Sequence, residues 1–118
     1  MNKYTKEELE KALQIVSSVI VRCEKMQPKF VEGTSQHTLL KNRLKALYIS
    51  KSLITGENVA GKHSKEELME ALKPISSIIS KCEKAQLKHE VGTAYYTRFE
   101  NMIVAMSIAK CLITERIA

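Results

Sequence analysis

The 118-residue chain has no aspartate and no tryptophan, and it holds only two prolines and four glycines. All 13 of its acidic residues are therefore Glu. EF-hand loops open on Asp, and Walker-B and many magnesium sites use it, so those readings lose ground. A Ser-His-Asp triad would need Glu as its carboxylate. Long apolar runs are missing too. Met102 to Ile113 carries Ser107 and Lys110, and it falls well short of the roughly 20 residues that span a bilayer. The opening Met1-Asn2-Lys3-Tyr4-Thr5-Lys6 shows no apolar signal-peptide core.

Cysteine is scarce and unpaired in pattern. Cys23, Cys82 and Cys111 are odd in number and show no CxxC spacing. They read as free thiols in a reducing, cytoplasmic compartment. His37, His63 and His89 offer no HxxxH clamp, so neither a metal nor a cofactor is expected.

What is present is a repeat. Residues 5–55 align without a gap on 64–114 at an offset of 59, with 24 identities in 51 pairs. Thr5-Lys6-Glu7-Glu8-Leu9 returns as Ser64-Lys65-Glu66-Glu67-Leu68, and Cys23-Glu24-Lys25 as Cys82-Glu83-Lys84. Repeats of this kind set the architecture before anything else does. Unit one spans 4–55, a linker 56–62 and unit two 63–115, within a single domain.

Each unit reads as two helices. Thr5 with Glu8, and Ser64 with Glu67, have the spacing of capping boxes. Apolar residues then recur at helical spacing from Leu9 to Phe30, and again from Leu68 to Cys82. Gly33 and Gly92 are expected to end the first helices, and Thr34 and Thr93 to cap the second. A bend is expected near Pro28 and a kink at Pro74. Tandem short-looped hairpins predict an all-α fold, an antiparallel four-helix bundle with a pseudo-twofold axis.

The polar residues kept in both units are Ser17/Ser76, Ser18/Ser77, Glu24/Glu83, Lys25/Lys84, Gln27/Gln86, Lys29/Lys88, Thr34/Thr93, Thr38/Thr97, Asn42/Asn101 and Lys51/Lys110. Thr34, Thr38 and Asn42 lie four apart, on one helix face. They predict either a buried Gln–Thr–Asn network with Gln27 that fixes register, or a polar pocket at the turn end. The pocket would sit at a helix N-terminus, which suits an anion. Lys25, Lys29 and His37 would add charge in unit one, and Lys84, Gln86, Lys88, Thr93, Thr97 and Asn101 would repeat the site in unit two. Lys51 and Lys110 fall beside apolar positions, as snorkelling or ligand-anchoring lysines.

The units also differ. Residues 1–58 hold 10 basic and 6 acidic side chains, and 59–118 hold 9 and 7. The formal charge of +6 thus leans toward unit one. In the last helix Val104 replaces Lys45 and Cys111 replaces Ser52. With Met102, Met106 and Ala109 that helix is apolar nearly all round, which predicts a homodimer interface or a larger homo-oligomer.

The run Gly33-Thr34-Ser35-Gln36-His37-Thr38-Leu39-Leu40-Lys41-Asn42-Arg43-Leu44-Lys45-Ala46-Leu47, preceded by Cys23-Glu24-Lys25, resembles short uncharacterised helical proteins of Firmicutes and their phages. The resemblance covers one hairpin. Unit two departs from it: Gln36-His37 becomes Tyr95-Tyr96, and Leu39-Leu40-Lys41 becomes Arg98-Phe99-Glu100. By analogy of size and style alone, it points to phage immune-evasion sponges that sequester signalling nucleotides.

The expected function is non-catalytic binding of a small anionic, nucleotide-like ligand. The alternatives are a protein-interaction module, an inhibitor or adaptor acting through its helix surfaces, and weak nucleic-acid binding through Lys41, Arg43 and Lys45. No helix-turn-helix or RNP-type aromatic motif supports the last of these. An enzyme is not expected: no Gly-rich loop or paired-carboxylate motif appears.

Overall fold

The structure, a computed structural model, describes residues 3–56 and 62–118. Most of the expected linker, 57–61, lies outside the described residues. Four helices follow one another: α1 (Lys6–Met26), α2 (Ser35–Thr55), α3 (Lys65–Gln86) and α4 (Ala94–Ile117). The fold is all-α, and no strand occurs among the described residues.

The helix starts are set by local chemistry. The Thr5 hydroxyl accepts from the Glu8 amide at 3.1 Å, and Glu8 Oε1 accepts from the Thr5 amide at 2.8 Å. Ser64 and Glu67 repeat this at 3.1 and 3.0 Å. Both capping boxes satisfy amides that the helix would otherwise leave open.

The helix ends differ from the expectation. α1 stops at Met26, and Gln27–Lys29 form a short 3₁₀ turn that includes Pro28. α3 has Leu87 in place of Pro28, yet it ends only one register later, at Gln86. Pro28 has no amide to match the 3.3 Å bond from Leu87 to the Glu83 carbonyl, so proline removes the last register but does not by itself stop the first helix. Nor do the glycines stop it. Gly33 and Gly92 have φ of 90° and 93°, but they stand just before the caps Thr34 and Thr93, so they start the second helices. Only glycine takes that φ without steric cost. α3 runs on through Pro74.

α1 and α3 each bury one stripe: Ala12, Val16, Val19, Ile20 and Cys23 on one, Leu68, Ala71, Ile75, Ile78 and Cys82 on the other. Full burial of a large aliphatic side chain contributes about 1.5–3 kcal/mol. α2 and α4 are buried more widely, because they touch each other as well as both flanking helices. α1 and α3 have no close backbone approach to each other. The four helices form one bundle with α2 and α4 at its centre, and its Cα atoms span 43 × 40 × 21 Å.

Candidate functional site

The turn ends come first, because most of the kept polar residues lie there. The Thr34 hydroxyl accepts from the His37 amide at 3.3 Å and donates to the Val31 carbonyl at 2.7 Å. Thr93 does the same with Tyr96 and Glu90, at 3.3 and 2.7 Å. Each hydroxyl is committed in both directions. The kept Gly-Thr pair is therefore a turn-and-cap device, sufficient to explain its recurrence.

The expected Gln–Thr–Asn network is not assembled. Thr38, Asn42 and Thr97 are exposed, and Gln27 is half-buried. Among the described residues no hydrogen bond joins Gln27, Thr38 and Asn42. Gln86 instead donates to the Tyr96 carbonyl at 3.3 Å and to Glu100 Oε1 at 2.8 Å. Unit one has Lys41 where Glu100 stands, so Gln27 has no such acceptor. Lys25, Lys29, Lys84, Lys88, Lys51 and Lys110 are exposed, and His37 is half-buried. Among the described residues no hydrogen bond or ion pair joins these side chains.

The expected interface residues also separate. Met106 and Ala109 are fully buried within the chain. The apolar girth of α4 is thus accounted for by its contacts with α1, α2 and α3. Met102 and Cys111 are half-buried, and Val104 alone of the set is exposed, at 48%. The Tyr4 hydroxyl pairs with the Cys111 thiol, and this bond with partial burial pushes the tyrosine pKa up to about 12. Burial pushes the Cys23 and Cys82 thiols up as well.

The structure brings polar groups together elsewhere, between α1 and α4. There a groove of about 270 Å³ is walled by Lys11, Gln14, Ile15, Ser18 and Arg22 on one side. Arg98, Asn101 and Met102 wall the other. The α1 residues recur every three or four positions, so they form a straight face of that helix. No carboxylate lines the groove, so the charges of Lys11, Arg22 and Arg98 are not cancelled within it. Converging cations in a concave surface concentrate a positive field. Gln14, Ser18 and Asn101 add neutral donors and acceptors, and Ile15 and Met102 supply apolar wall.

Of the residues expected to bind ligand, only Asn101 lies in this groove. Lys11, Gln14, Ser18, Arg22 and Arg98 were not singled out as ligand-binding. One signal was available: Ser18 and Asn101 both belong to kept polar pairs. They sit in different repeats, so no spacing within one helix joins them.

No protein-family profile, curated protein or solved structure matches the chain.

Proposed function

We propose that the protein binds a small anionic, nucleotide-like ligand in the α1/α4 groove and holds it without turnover. The observation that carries this is the lining itself: three cations, three neutral hydrogen-bonding side chains and no acid. Paired guanidiniums suit phosphate because each presents a planar fork of donors. A volume of about 270 Å³ lies at the small end of ligand pockets, which favours a compact ligand. Ile15 and Met102 would face a base or ribose.

Calorimetric titration with cyclic AMP, cyclic dinucleotides and ADP-ribose tests this. At least one should bind saturably, and Arg22→Ala with Arg98→Ala should weaken it by roughly tenfold or more. Absence of saturable binding across the panel, or binding indifferent to both substitutions, overturns it.

A second reading, a protein-interaction module, is favoured by one observation. The connections between helices expose Val31 at 73%, Leu87 at 86% and Val91 at 81%. Exposed apolar side chains of that size mark contact surfaces when they cluster. A stoichiometric partner captured from the native host, and lost on Leu87→Glu, would support it.

A further inference from the structure

We infer that the chain carries a second anion site, at the junction of α2 and α3, related to the first by the offset of 59 and resting on the ligand reading of the α1/α4 groove. The kept polar residues point to it. Ser18 corresponds to Ser77, and Asn101 to Asn42. In the first groove the serine comes from the first helix of unit one and the asparagine from the second helix of unit two. Exchanging the units puts Ser77 on α3 and Asn42 on α2, and those helices pack on one another as α1 packs on α4. The same two kept side chains thus belong to both junctions, with the donor repeats swapped.

The register agrees. Lys45 Nζ lies 3.6 Å from Glu67 Oε2, which ties the middle of α2 to the first turn of α3. Asn42 and Arg43 stand within a turn of Lys45. Lys73, Ser77 and Lys81 are four apart, on one face of α3. Ser77 and Arg43 are half-buried, and Asn42 is exposed.

The cations make an independent argument. Lys11 corresponds to Glu70 and Arg98 to Leu39, so of the three cations of the first groove only Arg22, as Lys81, is retained. Lys73 and Arg43 appear instead, at the positions of Gln14 and Met102. The individual positions changed and the number of cations did not. With Glu70 the second set carries three cations and one acid, where the first carries three cations and none. Glu70 opposes them, so the second site is the weaker.

Amide-resolved NMR titration of the whole chain with inorganic pyrophosphate, and separately with ADP, tests this. Two saturating clusters of shifts are expected, one around Ser18 and Asn101 and a weaker one around Ser77 and Asn42. Lys81→Glu, or Arg43→Ala, should weaken the second by roughly tenfold and leave the first within about twofold. Arg98→Ala should do the reverse. Shifts confined to the α1/α4 groove, or a second cluster untouched by either substitution, overturn the second site and leave the first standing. No saturable shifts at either junction, with both probes, overturn both.

Discussion

The two hairpins start from nearly the same pattern and close differently. α3 and α4 pack on each other far more extensively than α1 and α2 do. Their turns share the threonine bonds and the glycine φ values, but unit one enters its turn through a 3₁₀ segment with Pro28 whereas α3 runs one register further. The difference lies in residues that diverged around them. In unit two His89 stacks on Tyr95 and Phe99, with ring centres 5.1 and 5.8 Å apart, and Gln86 bridges to Glu100. Unit one has Phe30, Gln36 and Leu40 at the ring positions and Lys41 at the acceptor. Its own cross-helix bond runs from the Tyr48 hydroxyl to Glu24, and Ser107 stands where a second such tyrosine would be. Kept residues fix where each helix starts and which face it buries. Diverged residues fix how tightly each hairpin shuts.

The largest effect should come from the core. Leu47 and Met106 occupy equivalent positions, and both are fully buried. Leu47→Ala and Met106→Ala should each cost about 2–5 kcal/mol in urea unfolding. A loss above about 1 kcal/mol more for one than for the other would break the equivalence of the two central helices at their buried centre. The caps come next. Thr34→Ala and Thr93→Ala should each cost about 1 kcal/mol, with serine restoring most of it. If only one of the two mattered, the shared turn would not be a shared support.

Alkali should separate the halves. Cys23 and Cys82 have thiol pKa values raised above 9.0 by burial. Tyr48 is raised above 10.0, chiefly by its hydrogen bond to Glu24. A raised pKa favours the protonated folded state. Its contribution is complete below the unfolded pKa and is lost as pH rises through the folded one. Stability should therefore decline from about pH 9 upward through both halves, and from about pH 10 upward through Tyr4, whose bond to Cys111 joins the two units, and through Tyr48, whose bond to Glu24 lies within unit one. Tyr48→Phe should shrink the later part of the decline and leave the earlier part unchanged. Unfolding curves measured across pH 8 to 11 would show this, and a Tyr48→Phe curve parallel to the wild type would refute it. The smallest effect belongs to Lys45, whose side chain is 60% exposed in its pair with Glu67. Lys45→Ala should change stability by less than about 0.5 kcal/mol. A larger loss would mean that the α2/α3 junction relies on this pair, unlike the α1/α4 junction, which has Val104 there.

Much of this was legible in the residues. Thr5 with Glu8 and Ser64 with Glu67 announced two helix starts, and the apolar spacing from Leu9 and from Leu68 announced two buried stripes. α2 ends at Thr55, the last residue of unit one. The end of α1 was not legible. Gly33 was expected to end it, with only a bend near Pro28, yet the helix stops at Met26 and a 3₁₀ turn follows. The candidate site was legible only in fragments. Ser18 and Asn101 stood out as kept residues, but Lys11 and Arg98 have Glu70 and Leu39 at the equivalent positions, so the repeat does not mark them. Met106 and Ala109, expected with Val104 and Cys111 to serve an interface between copies, are buried within the chain, because α4 packs on all three other helices.

The sequence alone determined the number of helices, their starts and the buried stripes of α1 and α3. Those properties depend on side chains three or four residues apart, within reach of one another along a single helix. Tertiary structure decided that α1 lies against α4 and α2 against α3, and so which cations converge. That choice is made when four apolar faces are buried at once, and no local spacing records it. The groove is the result of that packing, lined by residues more than 70 positions apart in the chain.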